Sequence, residues 1–185
     1  MKKVAILSSH NGSGFETLYK ATKLNQLNIS FPILISNNTN APVLEKAQEY
    51  GVQTHLINSK TCSDVDETIY KLLLQSECDY VFLSGYMKKI SSKITNNFKI
   101  INSHPSLLPK YGGPGMYGTR VHEAVIANGE KKSGVTIHEV NENYDEGKIL
   151  LQKELLLEAG ETVYSLEQKI KALEKIAIVE AFKHV

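Results

Sequence analysis

The sequence contains too little cysteine to support several classes of site. Only two of its 185 residues are cysteines, Cys62 and Cys78; they form no CxxC pair and have no histidine cluster nearby. A zinc knuckle and a redox dithiol are therefore unsupported, and we interpret both residues as ordinary thiols. No set of His, Asp, Glu and Cys residues has the spacing of a metal site, so we expect none.

Long hydrophobic runs and an excess of charge are also missing. The apolar run in the amino-terminal MKKVAILSSHNG is about five residues long, which is too short for a signal-peptide core or a membrane span. The formal net charge is +1, so no electrostatic argument favours a large polyanion such as tRNA or DNA, although small anions stay candidates. We therefore expect a cytoplasmic protein that binds neither nucleic acid nor membrane.

Apolar runs that alternate with helical patterns are the main feature present. This alternation is typical of an α/β fold, in which helices cover both faces of an open, mainly parallel, twisted sheet. The predicted strands are KKVAILSS, ISFPILIS, QTHLIN and DYVFLSGY, and the helices between them are GFETLYKATKL, APVLEKAQEYG and CSDVDETIYKLLLQSE. The length suits one hydrophobic core, so we predict a single domain over 1–185.

The alternation changes after KIINSHP. SGVTIHEV and KILLQKELLL read as two strands with no helix between them, which predicts an antiparallel strand near the carboxyl terminus. The chain closes on TVYSLEQKIKALEKIAIVEAFKHV, whose three- and four-residue apolar spacing predicts one long amphipathic helix. The positions predicted to share its apolar face are Leu166, Ile170, Leu173, Ile176 and Ala177.

The turn between the first strand and the first helix is a candidate anion site. It consists of Asn11, Gly12, Ser13 and Gly14, and backbone N–H groups at a helix start favour a phosphate monoester. Such a turn lies at the carboxyl end of a strand, where open α/β sheets bind ligands. The alternative, a tight turn that needs glycine for its own geometry, stays open. GPGMYG at 113–118 is a literal GxGxxG, but it does not leave a strand directly and so does not indicate a dinucleotide.

The stretch INSHPSLLPK carries the strongest candidate for chemistry. Side chains alternate along a strand, so Asn102 and His104 point to one face while Ser103 points away, towards the scaffold. An amide and a protonated imidazole at the end of a strand suit the negative charge that develops on a carbonyl oxygen under attack. The alternative, in which Asn102 caps a turn and His104 is a core residue, stays open at this point.

A carboxylate beside His104 would stabilise its imidazolium form and fix its tautomer. Asp145, in the turn NENYDEG, is the candidate for this role, and Glu142 and Glu146 compete with it. His138, on SGVTIHEV, could face the same pocket or the sheet surface. Spacing alone does not show which of these residues meet.

Taken together, the motifs SSHNGSG, LSGYMKKIS, NSHPSLLPKYGG, SGVTIHEV and YDEG resemble the folate-dependent formyltransferase family, in order and over essentially the whole chain. The NGS turn favours the branch that acts on glycinamide ribonucleotide. The resemblance implies a Rossmann-like fold and transfer of a formyl group from 10-formyltetrahydrofolate to the primary amine of 5′-phosphoribosylglycinamide in purine (IMP) biosynthesis. It implies no metal and no redox cofactor.

The resemblance also assigns roles to individual residues. It implies that Asn102 and protonated His104 stabilise a tetrahedral intermediate while Asp145 assists proton transfer. The implied ligand contacts are the turn Asn11, Gly12, Ser13 and Gly14 for the substrate phosphate, Lys171 and Glu174 for its sugar, and Met87, Lys88, Ile90, Val140, Asn141, Asn143 and Tyr144 for folate. Gly14 departs from the family pattern, which has a second asparagine at that position.

Two other functions compete with formyl transfer. A formyltetrahydrofolate deformylase would use the same three residues with water, and it is expected to carry a regulatory domain before the catalytic one. A non-catalytic folate or nucleotide binding module would not need Asn102, His104 and Asp145 together. The sequence leaves a monomer and a homodimer equally open.

Overall fold

The computed structural model describes all 185 residues. The chain divides into two compact units, Met1–Ile101 and Asn102–Val185. The single domain that we predict over the whole length stays a prediction.

The first unit is built on parallel strands. Its elements are β1 (Lys2–Leu7), α1 (Ser13–Lys23), β2 (Ile29–Ser30), β3 (Ile33–Ser36), α2 (Pro42–Glu49), β4 (Gln53–Leu56), α3 (Val65–Gln75), β5 (Tyr80–Leu83) and α4 (Ser92–Thr95). The strand order is β4-β3-β1-β5, with every neighbouring pair parallel, and β2 also pairs with β1. The last four residues of β1 are fully buried, as expected for a strand with neighbours on both sides.

The second unit contains an antiparallel pair. Its elements are β6 (Ile100–His104, which begins at the end of the first unit), α5 (Thr119–Ala127), β7 (Lys132–Glu139), β8 (Ile149–Leu156) and α6 (Val163–His184). The strand order is β6-β7-β8, and β7 and β8 run antiparallel with an irregularity at Ile137 and His138. Helix α6 packs against β7, β8 and α5.

The predicted α/β fold, with a mostly parallel sheet and an antiparallel strand near the carboxyl terminus, is confirmed. Two details were wrong. ISFPILIS is not one strand but β2 and β3, because Pro32 has no N–H with which to continue the ladder. Ile176 does not lie on the buried face of α6 but is 57% exposed, one position away from the buried Ala177.

No helix of the structure combines the length and the apolar character that a membrane span requires.

Candidate functional site

His104 is held at the end of β6 by a backbone carbonyl. The imidazole is 4% exposed, and its Nε2 lies 2.7 Å from the carbonyl oxygen of Tyr111. A carbonyl can only accept, so Nε2 carries the hydrogen and Nδ1 is bare when the ring is neutral. A second proton would therefore be added at Nδ1.

Asp145 lies between two histidines. Its Oδ2 is 3.6 Å from Nδ1 of His104, and its Oδ1 is 3.6 Å from Nε2 of His138. The backbone N–H of Gly113 donates to Oδ2 at 2.9 Å and fixes the carboxylate. The side chain of Asp145 is only 13% exposed, so its charge is poorly screened by water. Each imidazole therefore has a carboxylate oxygen opposite one of its nitrogens.

The loop after β7 has the geometry that presents Asp145. Asp145 adopts a left-handed backbone conformation with φ 58°, which aspartate tolerates better than most residues. Two positions later, a Cβ on Gly147 would lie 1.7 Å from the carbonyl oxygen of Glu139. The backbone N–H of Glu139 donates to the carbonyl of Lys148 at 2.8 Å and closes the loop. The YDEG motif thus needs its glycine because the chain returns so close to β7.

His138 joins Asn102 to this group. Its Nδ1 lies 2.9 Å from the carbonyl oxygen of Glu139, so Nδ1 carries the hydrogen and Nε2 of the neutral ring accepts. Nε2 lies 3.2 Å from Nδ2 of Asn102, and the amide therefore donates to it. Burial lowers the pKa of His138, against smaller raising effects from the Glu139 carbonyl and Asp145. The neutral ring is thus favoured, and it sets the direction of the Asn102 amide.

The structure brings together residues that the sequence could only list. Among the three competing acids, Asp145 faces His104, whereas Glu142 and Glu146 are exposed. His138, which the sequence left undecided, faces the same carboxylate. The only sequence signal for it was its place among the alternating side chains of a predicted strand. The catalytic roles of these residues stay predictions.

Thr136 holds the HPSLLP segment against β7. Its hydroxyl donates to the carbonyl of Ser106 at 2.7 Å and accepts from the backbone N–H of Leu108 at 3.0 Å. Gln152 on β8 donates to the same hydroxyl oxygen and to the carbonyl of Leu108, each at 2.9 Å. The chain that leaves His104 is therefore anchored to the strand that carries His138.

The proposed phosphate turn lies at the start of α1 in the first unit. Gly12 has φ 61°, and a Cβ there would lie 2.2 Å from Cγ2 of Val43. A Cβ on Gly14 would lie 2.8 Å from the ring of Phe82. The asparagine of the family pattern is thus incompatible with Phe82 in its present position. Both glycines are required by packing alone, so the structural interpretation of the turn is as well supported as phosphate binding.

A pair of lysines neutralises the acid beside this turn. Glu16, in the first turn of α1, accepts from Lys20 and from Lys46, each at 2.6 Å. The hydrogen bonds from Lys20 and then Lys46 lower the pKa of Glu16 to about 2. Lys46 also donates to the carbonyl of Asn11 at 3.1 Å. It therefore fixes the turn backbone and cancels negative charge that would repel an anion.

The two residues predicted to contact the sugar lie on α6. Lys171 pairs with Glu167 at 2.7 Å, and Glu174 accepts a hydrogen bond from the Ser103 hydroxyl at 2.6 Å. Burial raises the pKa of Glu174, and the hydrogen bond from Ser103 opposes this shift. Ser103 thus points away from the face of Asn102, as predicted, and its partner is a carboxylate.

The residues predicted to contact folate fall in both units. In the first unit, Met87, Lys88 and Ile90 line a cavity of about 650 Å³. The hydroxyl of Ser9 accepts from the backbone N–H of Met87 at 2.8 Å. Burial raises the pKa of Tyr86, another lining residue, to about 12, so its hydroxyl stays protonated at neutral pH.

In the second unit, the predicted folate residues belong to the loop after β7. Val140 is half-buried, and the remaining three, Asn141, Asn143 and Tyr144, are exposed. The backbone N–H of Asn143 donates to Oδ1 of Asn141 at 2.9 Å. The loop therefore has local order next to Asp145. No group of three or more His, Cys, Asp or Glu side chains is arranged to hold a metal ion.

Comparison with known proteins gives a consistent result. A family profile described as formyl transferase matches residues 2–182. The chain is 36% identical to a chloroplastic phosphoribosylglycinamide formyltransferase of Vigna unguiculata, over 97% of this chain and 59% of that protein. It is 31% identical to the phosphoribosylglycinamide formyltransferase of Bacillus subtilis, over 94% of this chain and 89% of that protein. It therefore spans less than two thirds of the plant relative.

The fold is also similar to solved structures. A crystal structure of glycinamide ribonucleotide transformylase 1 from Symbiobacterium toebii matches with a TM-score of 0.90 and 27% identity, and the match covers 98% of this chain and 86% of that chain. The similarity extends over both units.

Proposed function

Since the chain belongs to the formyl transferase family, we propose that it transfers a formyl group from 10-formyltetrahydrofolate to the primary amine of 5′-phosphoribosylglycinamide. The family implies a folate-derived formyl donor, and the names of the relatives support this acceptor. The observation that carries the proposal is the Asp145 carboxylate, held between His104 and His138, with Asn102 bonded to the second histidine. This group of four residues is called the β6–β7 cluster below.

The reaction begins when the neutral amine of the substrate attacks the formyl carbon. A carbon–nitrogen bond forms, and the carbonyl electron pair moves onto oxygen, which gives a tetrahedral intermediate. Of the two N–H bonds of the Asn102 amide, one is directed at His138, and the other is left to donate to the oxyanion. Protonated His104 stabilises the same charge.

The intermediate collapses when the bond from carbon to the folate nitrogen breaks. The departing nitrogen takes the electron pair and a proton, and the attacking nitrogen loses one proton. Protonated His104 carries its added hydrogen at Nδ1, opposite Oδ2 of Asp145 at 3.6 Å. Asp145 therefore stabilises the imidazolium and assists this transfer. Formyl transfer changes no oxidation state, so it needs no redox partner.

The predicted ligand contacts complete the proposal. In the first unit, the backbone of Asn11–Gly14 binds phosphate, and Met87, Lys88 and Ile90 contact folate. In the second, Lys171 and Glu174 contact the sugar, and the loop after β7 contacts folate. We further propose a cytoplasmic enzyme of purine (IMP) biosynthesis with one domain over 1–185, acting as a monomer or a homodimer.

The proposal is tested by removing the cluster's reactive groups one at a time. Asn102→Ala, His104→Ala and Asp145→Asn should each lower kcat by about a hundredfold or more, the scale typical of lost oxyanion or acid–base groups. Turnover is measured as release of tetrahydrofolate in the presence of both substrates. Circular dichroism shows whether each variant is folded. A folded variant that keeps kcat within threefold of the wild type would remove that residue from the mechanism.

A further inference from the structure

The hydroxyl of Ser103 makes its contact on the side of β6 away from the reacting groups. Its oxygen lies 2.6 Å from Oε1 of Glu174, which is 71 positions later in the chain. The neighbours of Ser103 are Asn102 and His104, so one short strand carries two members of the β6–β7 cluster and the partner of this acid. We propose that Ser103 is a positioning residue that holds Glu174 for binding the vicinal diol of the substrate sugar.

The inference rests on the proposed function, because that function supplies the diol. An ionised carboxylate has about four acceptor positions on its two oxygens. The Ser103 hydroxyl uses one position on Oε1 of Glu174, and the others are left for the two hydroxyls of a diol. With one oxygen anchored, rotation of the carboxylate is restricted, which lowers the entropy lost when a diol binds.

The charge of Glu174 also depends on this contact. Burial raises the pKa of Glu174, and the largest opposing effect is the hydrogen bond from Ser103, ahead of the charges of Lys171 and Lys175. Both lysines lie on α6 itself, and Lys171 is paired with Glu167. Ser103 therefore favours the ionised carboxylate, which accepts hydrogen bonds from a diol more strongly than the neutral acid.

Charged and titratable side chains on the other elements that pack against α6 interact with residues of α6 other than Glu174. His122 of α5 interacts with Glu167 and Lys171, and Lys153 of β8 pairs with Glu180 at 2.7 Å. The hydroxyl of Ser103 is thus the contact from outside α6 that acts on the Glu174 carboxyl.

The test compares Ser103→Ala with Ser103→Thr, which keeps the hydroxyl, and with Glu174→Gln. Ser103→Ala should raise KM for the ribonucleotide about tenfold, the scale of one hydrogen bond to a charged group, with KM for 10-formyltetrahydrofolate changed by less than about twofold. Ser103→Thr should restore most of the affinity. The acidic limb of the pH profile of kcat/KM for the ribonucleotide should also shift to higher pH in Ser103→Ala, because the pKa of Glu174 loses its main lowering contact.

Ser133→Ala is the matched control, since Ser133 is a buried serine of the same unit whose hydroxyl has no hydrogen-bond partner. If Ser103→Ala does not fold, Ser103→Cys takes its place, because cysteine has nearly the same size and is a weak donor. An increase in KM with Glu174→Gln but not with the Ser103 variants would overturn the positioning role alone. No increase with Glu174→Gln would overturn the sugar contact as well, and a wild-type chain without transferase activity would overturn the proposed function.

Discussion

At the scale of single residues, the Asp145 carboxylate faces two histidines, His104 and His138. A carboxylate between two imidazoles can stabilise the protonated form of either ring. The burial and hydrogen bonds of each ring determine which of them is protonated more easily. Burial lowers the pKa of His138, and the Glu139 carbonyl fixes its hydrogen on Nδ1. In the proposed mechanism His138 therefore stays a neutral acceptor that orients Asn102, and we assign the proton transfer to His104.

This division of labour predicts a moderate effect for His138→Gln. The variant loses the ring that orients Asn102 and faces Asp145, but it keeps the groups that we propose to act on the reacting atoms. We expect kcat to fall about tenfold to a hundredfold, less than for loss of a direct acid–base group, with both KM values within about twofold. Steady-state kinetics at saturating substrates measures this.

His55→Gln is the control, because His55 is a partly buried histidine of the first unit whose Nε2 has no hydrogen-bond partner. It should keep the wild-type kcat. A His138→Gln enzyme with the same kcat as this control would show that His138 does not position Asn102.

The sequence predicts some of these residues and not others. The strand alternation places Asn102 and His104 on one face and Ser103 on the other, because that pattern is local. The contact of His104 with Asp145 spans 41 positions of the chain and depends on how the loop after β7 returns to the strand. The contact of Ser103 with Glu174 depends on the rotation of α6. Neither of these two contacts follows from the spacing of residues along the chain. From the sequence, Asp145 was therefore one candidate beside Glu142 and Glu146.

At the scale of elements, the start of α1 combines an acid with two lysines beside the turn that we propose binds phosphate. Glu16 lies in the first turn of α1. Its negative charge there interacts favourably with the helix dipole but would repel a bound phosphate. Lys20 and Lys46 both bond to it. Only Lys46 also reaches the carbonyl of Asn11. The two lysines therefore share an electrostatic role, and one of them has an additional contact with the turn.

This difference predicts different outcomes for two similar substitutions. Lys46→Met should raise KM for the ribonucleotide several-fold, because the turn loses a hydrogen bond and Glu16 loses a neutralising charge; the scale is about 1 kcal/mol. Lys20→Met removes a lysine from the same acid but leaves Asn11 untouched, so it should have the smaller effect. KM measurements on both variants check this, and equal effects would rule out a positioning role for Lys46.

The same acid predicts a pH dependence of stability. The pKa of Glu16 is lowered from 4.5 to about 2 by its hydrogen bonds with Lys20 and Lys46. Because the folded-state pKa is depressed, the stabilisation is fully present above the unfolded pKa and is lost as pH falls from about 4.5 towards 2. Glu16 is partly exposed, so we expect about 1 kcal/mol rather than the full value of the shift.

Urea unfolding of the wild type and Glu16→Gln at about pH 6 and about pH 3.5 measures this contribution. The difference in unfolding free energy should be smaller at the lower pH. A difference that is unchanged, or that grows on acidification, would contradict the assigned pKa shift.

The elements themselves were mostly predictable, because apolar periodicity and turn residues are local signals. The wrong details each have a physical reason. Pro32 interrupts the ladder inside an apolar run, and the packing of α6 against β7 and β8 selects a stripe that excludes Ile176. The short helix α4 was missed because four residues are too few to show a period.

At the scale of the whole molecule, the family match covers nearly the full chain, and the overall fold agrees with solved structures of the same family. Family membership does not by itself choose the acceptor. Water and a primary amine could each attack a formyl group beside the β6–β7 cluster. The choice between transferase and hydrolase therefore depends on whether the substrate amine is required.

The most direct test of formyl transfer is to follow the fate of the formyl group. The protein is incubated with 10-formyltetrahydrofolate, either alone or with 5′-phosphoribosylglycinamide, and tetrahydrofolate and the formylated ribonucleotide are both quantified. We predict that tetrahydrofolate forms only with the amine present and in equal amount to the formylated product. Release of tetrahydrofolate at the same rate without the amine, with formate as the other product, would contradict it.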